Sequence, residues 1–113
     1  MTIKLKTAAP PGEAKASIVS INLPTELEAG KWITGYIYVK NVGTASGTIK
    51  LLITTQWDGK QYYGLGAADV NQTIGFYIPE GTIQMPNQDA TMRFDAQHQR
   101  PDGSFVTDDT KTH

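Results

Sequence analysis

From residue 16 onward the polarity of the side chains alternates with a period of two, and turn-forming residues interrupt the alternation roughly every eight to twelve positions. A strand sends successive side chains to opposite faces, so this rhythm describes strands with one buried and one wetted face. No stretch shows the i, i+3, i+4 spacing of a helix over three turns. Many short strands joined by tight turns pack as a sandwich or close as a barrel.

About seven strands follow from the pattern, eight segments if the short one at 82–85 is counted. The first, near 17–23, groups Val19, Ile21 and Leu23 on one face and ends at Pro24, which has no N–H to give a ladder. The second, near 31–40, turns Ile33, Gly35, Ile37 and Val39 inward and Trp32, Thr34, Tyr36, Tyr38 and Lys40 outward. The third, near 47–57, sets Ile49, Leu51, Ile53, Thr55 and Trp57 against Thr48, Lys50, Thr54 and Gln56. Asp58-Gly59 is a strong hairpin signal and returns the chain through a short strand over 60–63. Residues 64–69 are small and read as a loop. A strand near 72–78 carries Ile74, Phe76 and Ile78 on one face, and a short one at 82–85 points Ile83 and Met85 inward. Ala90, Met92, Phe94, Ala96 and His98 share a face over 90–98, and Pro101-Asp102-Gly103 hairpins into a last strand from Ser104 to about Thr110.

Residues 1–15 differ from the rest. Lys4, Lys6 and Ala8-Ala9-Pro10-Pro11-Gly12 favour extended or polyproline conformations over a packed core. They are expected to form an N-terminal arm, with the sandwich occupying 16–113. Ile3 and Leu5 have the spacing of two residues that seats alternate side chains along a neighbouring sheet edge.

Composition narrows the chemistry. The chain has no cysteine, which excludes disulfides, thiol nucleophiles and Cys-based metal sites. A formal net charge of −1 supplies no positive field to gather phosphates, so nucleic-acid binding is disfavoured. No window approaches the roughly 20 apolar residues of a membrane helix, and the start at Met1 lacks the apolar stretch of a secretory signal. The expectation is therefore a protein made in the cytoplasm that leaves it only through an assembly or through lysis.

The segment Val39-Lys40-Asn41-Val42-Gly43-Thr44-Ala45-Ser46 resembles the cell-adhesion-related bacterial domain family and its archaeal relatives, in which a V-x-N-x-G-x-A turn joins the second and third strands. Ile21-Asn22-Leu23-Pro24 and Ala29-Gly30 are similar to that family's first strand and following turn, and Met85-Pro86-Asn87-Gln88-Asp89 is similar to a corner of other bacterial and viral immunoglobulin-like modules. The resemblance implies an immunoglobulin-like antiparallel β-sandwich that serves as a spacer, adhesion or surface module. Such modules normally sit in long secreted proteins. A copy that starts at Met1 without a signal suits a virion protein, a decoration or minor capsid component, better.

Catalytic ingredients are sparse, and no catalytic, metal or cofactor-binding residue is expected. His98 falls in phase with Phe94 and Ala96 and reads as a partly buried or rim histidine. Asp89, Asp95, Asp102, Asp108 and Asp109 are oxygen ligands of the kind that hold calcium, but they lack the spacing of a calcium loop and read as turn and edge-strand charges. The aromatic residues carry more information. Trp32, Tyr36 and Tyr38 lie on the polar phase of the second strand, while Trp57, Tyr62 and Tyr63 gather about the Asp58-Gly59 hairpin. Rings in a row stack on sugars or fill a partner's pocket; equally, they cover the outer sheet face or lie beneath the arm.

The expected function is that of a non-catalytic structural or interaction subunit of a virion or surface lattice. It attaches to other protein subunits, its own copies or a larger capsid or surface protein, through Ile3 and Leu5 of the arm and through the aromatic face. The alternative is a carbohydrate-binding or cell-adhesion module that uses the same rings for glycans.

Overall fold

A computed structural model describes residues 2–3 and 12–113. Among these residues there is no helix. Seven strands run as β1 (Ala16–Asn22), β2 (Gly35–Asn41), β3 (Gly47–Thr55), β4 (Gln61–Ala68), β5 (Thr73–Ile78), β6 (Met92–Gln99) and β7 (Phe105–Thr112). They form two antiparallel sheets, ordered β1-β2-β5 and β4-β3-β6-β7. The fold is an all-β, immunoglobulin-like sandwich; the period-two alternation allows a sandwich or a barrel, and the resemblance implies this form.

The core lies where the two inner faces meet. Ile37 and Val39 of β2, Ile49 and Leu51 of β3, and Phe94 and Ala96 of β6 are fully enclosed. Each large aliphatic or aromatic side chain placed there contributes roughly 1.5–3 kcal/mol through removal from water. The alternation that assigned Ile37, Leu51, Ile53 and Phe94 to the interior is thus realised residue for residue, and Phe76 packs against the same cluster.

Four local expectations are corrected. Val19 is exposed, because the pairing of β1 with β2 slips between Ile18 and Ser20. The extra residue of this bulge resets the phase and turns Ala16, Ile18 and Ile21 inward. The second strand begins at Gly35, so Trp32 stands outside it. The short strand at 82–85 reduces to one bridge, Gln84 opposite Trp32.

The fourth correction is the largest. Residues 64–68 are not a loop but the second half of β4. Their smallness has a packing cause: a Cβ on Gly64 would sit 2.9 Å from Phe76 Cδ1, and one on Gly66 2.9 Å from Ile74 Cδ1. The large side chains of β5, across the sandwich, occupy the space that β4 leaves empty.

The turn from β2 to β3 is held by Asn41, whose side chain is 0% exposed. Its Oδ1 accepts from Lys15 N at 3.1 Å and Gly43 N at 3.0 Å. Its Nδ2 donates to Ala45 O at 2.9 Å and Ala68 O at 3.1 Å. Around this amide run backbone bonds from Thr44 N to Glu13 O and from Val42 N to Lys15 O, and Ala14 is buried. The division at 15/16 therefore falls within a segment that already lies against the sandwich.

Candidate functional site

β2 and β5 are neighbours, and their register sets Tyr36 opposite Tyr77 and Tyr38 opposite Gly75 on the outer face. The Tyr36 and Tyr38 rings stack with centroids 5.8 Å apart and planes 13° apart; Tyr36 and Tyr77 meet at 4.9 Å and 35°. Gly75 makes room for this cluster, because a Cβ there would stand 3.2 Å from Tyr38 Cε1 and 3.5 Å from Tyr36 Cδ1. Tyr36 is 42% and Tyr77 54% exposed. On the β1 side, Ser20 and Asn22 pair with Tyr38 and Tyr36, so the aromatic strip has a polar flank.

Trp32 is partly exposed and lines an open cleft with Glu26, Leu27, Glu28, Lys31 and Glu80. It stands apart from the tyrosine cluster in the chain trace, beyond the start of β2.

The other sheet has its own exposed strip. Lys50 of β3 pairs with Leu65 of β4, and its Nζ lies 4.9 Å over the ring of Tyr63 and 4.9 Å over that of Phe105. Tyr63 is 68% exposed, and Leu65 is exposed beside it. The hairpin group of the sequence reading divides here. Tyr63 faces out, whereas Tyr62, opposite Ile53, packs against the core together with Trp57. Of the two arm residues, Ile3 is 92% exposed, and Leu5 lies outside the described residues.

His98 is buried, as its phase on β6 indicates. Its Nδ1 lies 2.7 Å from Asp108 Oδ2, while its Nε2 has no hydrogen-bond partner and stands 3.6 Å from Glu13 Oε2. Among the described residues the imidazole meets only the carboxylates of Asp108 and Glu13. The aspartates singled out as oxygen ligands are engaged separately. Asp95 accepts from Arg93 Nε at 3.1 Å and from the Thr110 hydroxyl at 2.6 Å. Asp102 accepts from the Ser104 hydroxyl and N–H, which hold its carboxyl below the usual carboxylate range.

Asp108 and Asp109 do something the sequence did not suggest. A bulge opposite Ala96 and Gln97 lets these consecutive residues reach the same neighbour. Asp108 accepts from Ala16 N and Asp109 from Ile18 N, each at 2.8 Å. The outer N–H groups of β1 are thereby closed with carboxylates. Among the described residues no group of three His, Asp or Glu side chains is arranged to hold a metal ion.

Tyr77, Leu65, Lys50 and Phe105 were not singled out in the sequence. Tyr77 alternates with Phe76 and Ile78 and so had to point outward, but its place beside Tyr36 depends on the pairing of two strands more than thirty residues apart, as β2 and β5 are. No protein-family model matches the chain, and no curated protein matches it.

Proposed function

We propose that this protein is a non-catalytic structural subunit, a decoration or minor capsid component of a virion or a member of a surface lattice, that assembles through its sheet faces. The observation that carries the reading is that each outer face presents exposed apolar surface: Tyr36 and Tyr77, stacked with a half-buried Tyr38, on one sheet, and Tyr63 and Leu65, with a half-buried Phe105 across Lys50, on the other. Two sticky faces on opposite sides of a thin sandwich give a subunit two neighbours, which is what propagation of a lattice needs. The V-x-N-x-G-x-A turn supports kinship with the adhesion-related modules, whose role is likewise to connect.

Analytical ultracentrifugation over a wide concentration range tests the proposal. Reversible self-association is expected, weakened by Tyr36→Ala/Tyr77→Ala on one face and independently by Tyr63→Ala/Leu65→Ala on the other. A second reading, a carbohydrate-binding module, rests on the near-parallel stack of Tyr36 and Tyr38, a geometry suited to the flat face of a sugar. A chain that remains monomeric at every concentration but is retained on a glycan array through Tyr36 and Tyr38 would replace the first reading with the second.

A further inference from the structure

The two lateral seams of the sandwich are built in opposite ways. At the β1/β7 seam, carboxylates of Asp108 and Asp109 close the strand edge, a device that discourages strand addition. At the other seam β4 and β5, the last strands of their sheets, come side by side. Neither strand contains a charged residue. Between them opens an apolar slot of about 130 Å³ lined by Leu51, Ile53, Tyr62, Gly64, Phe76 and Ile78. An apolar cavity of about 150 Å³ takes up benzene, so this volume fits one branched aliphatic side chain.

We infer that the slot receives Ile3 from the N-terminal arm of a second copy of this chain, laid along the β4/β5 seam as an added strand. The inference rests on the structural-subunit reading and names the contact that would build the assembly. Three observations select this occupant. Ile3 is 92% exposed in the single chain, so the chain does not bury it on its own surface. In Thr2-Ile3-Lys4-Leu5-Lys6, apolar and cationic residues alternate, so a strand with Ile3 and Leu5 facing the seam turns Lys4 and Lys6 away from it. The residues flanking the slot on the outside are Tyr63 and Tyr77, and Tyr63 already accepts one ammonium group, that of Lys50, over its ring. Aliphatic side chains inward and lysines over tyrosines match this seam and would be repelled by nothing in it. The uncharged edges supply main-chain donors and acceptors for the added strand.

The absence of cysteine makes the contact measurable, since single introduced cysteines report it without background. Full-length Thr2→Cys, which leaves Ile3 in place, is mixed under mild oxidation with full-length Thr82→Cys, an exposed position at the mouth of the slot, and in parallel with Thr107→Cys on β7. The mixed disulfide with Thr82→Cys should form at least about tenfold faster, because docking raises the local concentration of the arm. Adding Ile3→Asp to the Thr2→Cys chain should remove the preference without touching the sandwich. Equal rates at the two positions overturn the inference. So does rapid closure of the Thr2→Cys/Thr82→Cys double variant at high dilution, which would show the arm returning to its own slot. Ultracentrifugation of the unaltered chain separates the two claims: association with equal cross-linking rates sinks the arm contact and leaves the subunit reading standing, whereas a strictly monomeric chain with no cross-linking sinks both.

Discussion

Replacing Asn41 with alanine should be among the most damaging single changes available in this sandwich. The substitution removes few atoms but strips partners from four backbone groups: Lys15 N, Gly43 N, Ala45 O and Ala68 O. Each such bond is worth about 1 kcal/mol net, and a group left buried and unpaired costs about 1–3 kcal/mol. Ala68 is buried, so its carbonyl sits toward the upper end; the others lie nearer the surface, where water replaces part of the loss. The sum is about 4 kcal/mol, against the roughly 5–15 kcal/mol that hold an ordinary domain together. Urea denaturation followed by circular dichroism measures it, with the slope m unchanged if only the native state is affected. Asn41→Asp keeps the acceptor but turns a carboxylate toward the carbonyls of Ala45 and Ala68, so it should be no milder at neutral pH. A loss below about 1 kcal/mol for Asn41→Ala would refute the reasoning, because it would mean that the four groups find other partners at once.

Phe94→Ala, at the centre of the core, should cost about 3–5 kcal/mol in the same assay, and a loss under about 1 kcal/mol would contradict its enclosure between the sheets. Gly64→Ala should destabilise even though alanine suits a strand better than glycine, because the new methyl meets Phe76 at 2.9 Å; pairing it with Phe76→Leu should restore part of the loss, and failure to do so would place the strain elsewhere. Asp58 accepts from the Thr55 hydroxyl and then from Lys60 N–H, and both hold its carboxyl below the usual aspartate value of 3.8. Because the folded value is lower than the unfolded one, this carboxylate supports the hairpin above about pH 4 and loses that support as the pH falls through the folded value. An NMR titration should place the Asp58 midpoint below 3.8 and Thr55→Ala should raise it; a midpoint at or above 3.8 in the unaltered chain contradicts the hydrogen-bonded hairpin.

What the sequence made legible was whatever depends on local alternation. Phe94 had to be interior because it sits between Arg93 and Asp95 on a strand, and Ile37 with Val39, and Leu51 with Ile49 and Ile53, because each set shares one phase of its strand. Val19 escaped because a bulge is a pairing event between two strands, invisible in the first strand alone. Gly64 and Gly66 misled for a related reason: small residues signal a loop locally, yet here they answer to Phe76 and Ile74 on a strand of the other sheet. The same limit governs the candidate site. Tyr36 and Tyr38 were recoverable from phase, as was the inward side of Trp57, but Tyr77 joins the two tyrosines only through the β2–β5 register, and the division of Tyr62 inward from Tyr63 outward depends on a hairpin whose geometry the phase of β3 does not fix.

The bonds from Asp108 and Asp109 to β1 connect positions 92 and 91 residues apart in sequence, near the two ends of the folded chain. Order along both strands is the same, Ala16 before Ile18 and Asp108 before Asp109, so the two segments lie parallel there. A pull applied to opposite termini therefore loads these two carboxylate-to-backbone bonds in shear, together with the β1–β2 ladder and the bonds that Glu13 O and Lys15 O accept from the β2–β3 turn. The two ends of the chain are thus tied to each other as well as to their own sheets, so a load applied at the first residues is shared between β1 and β7.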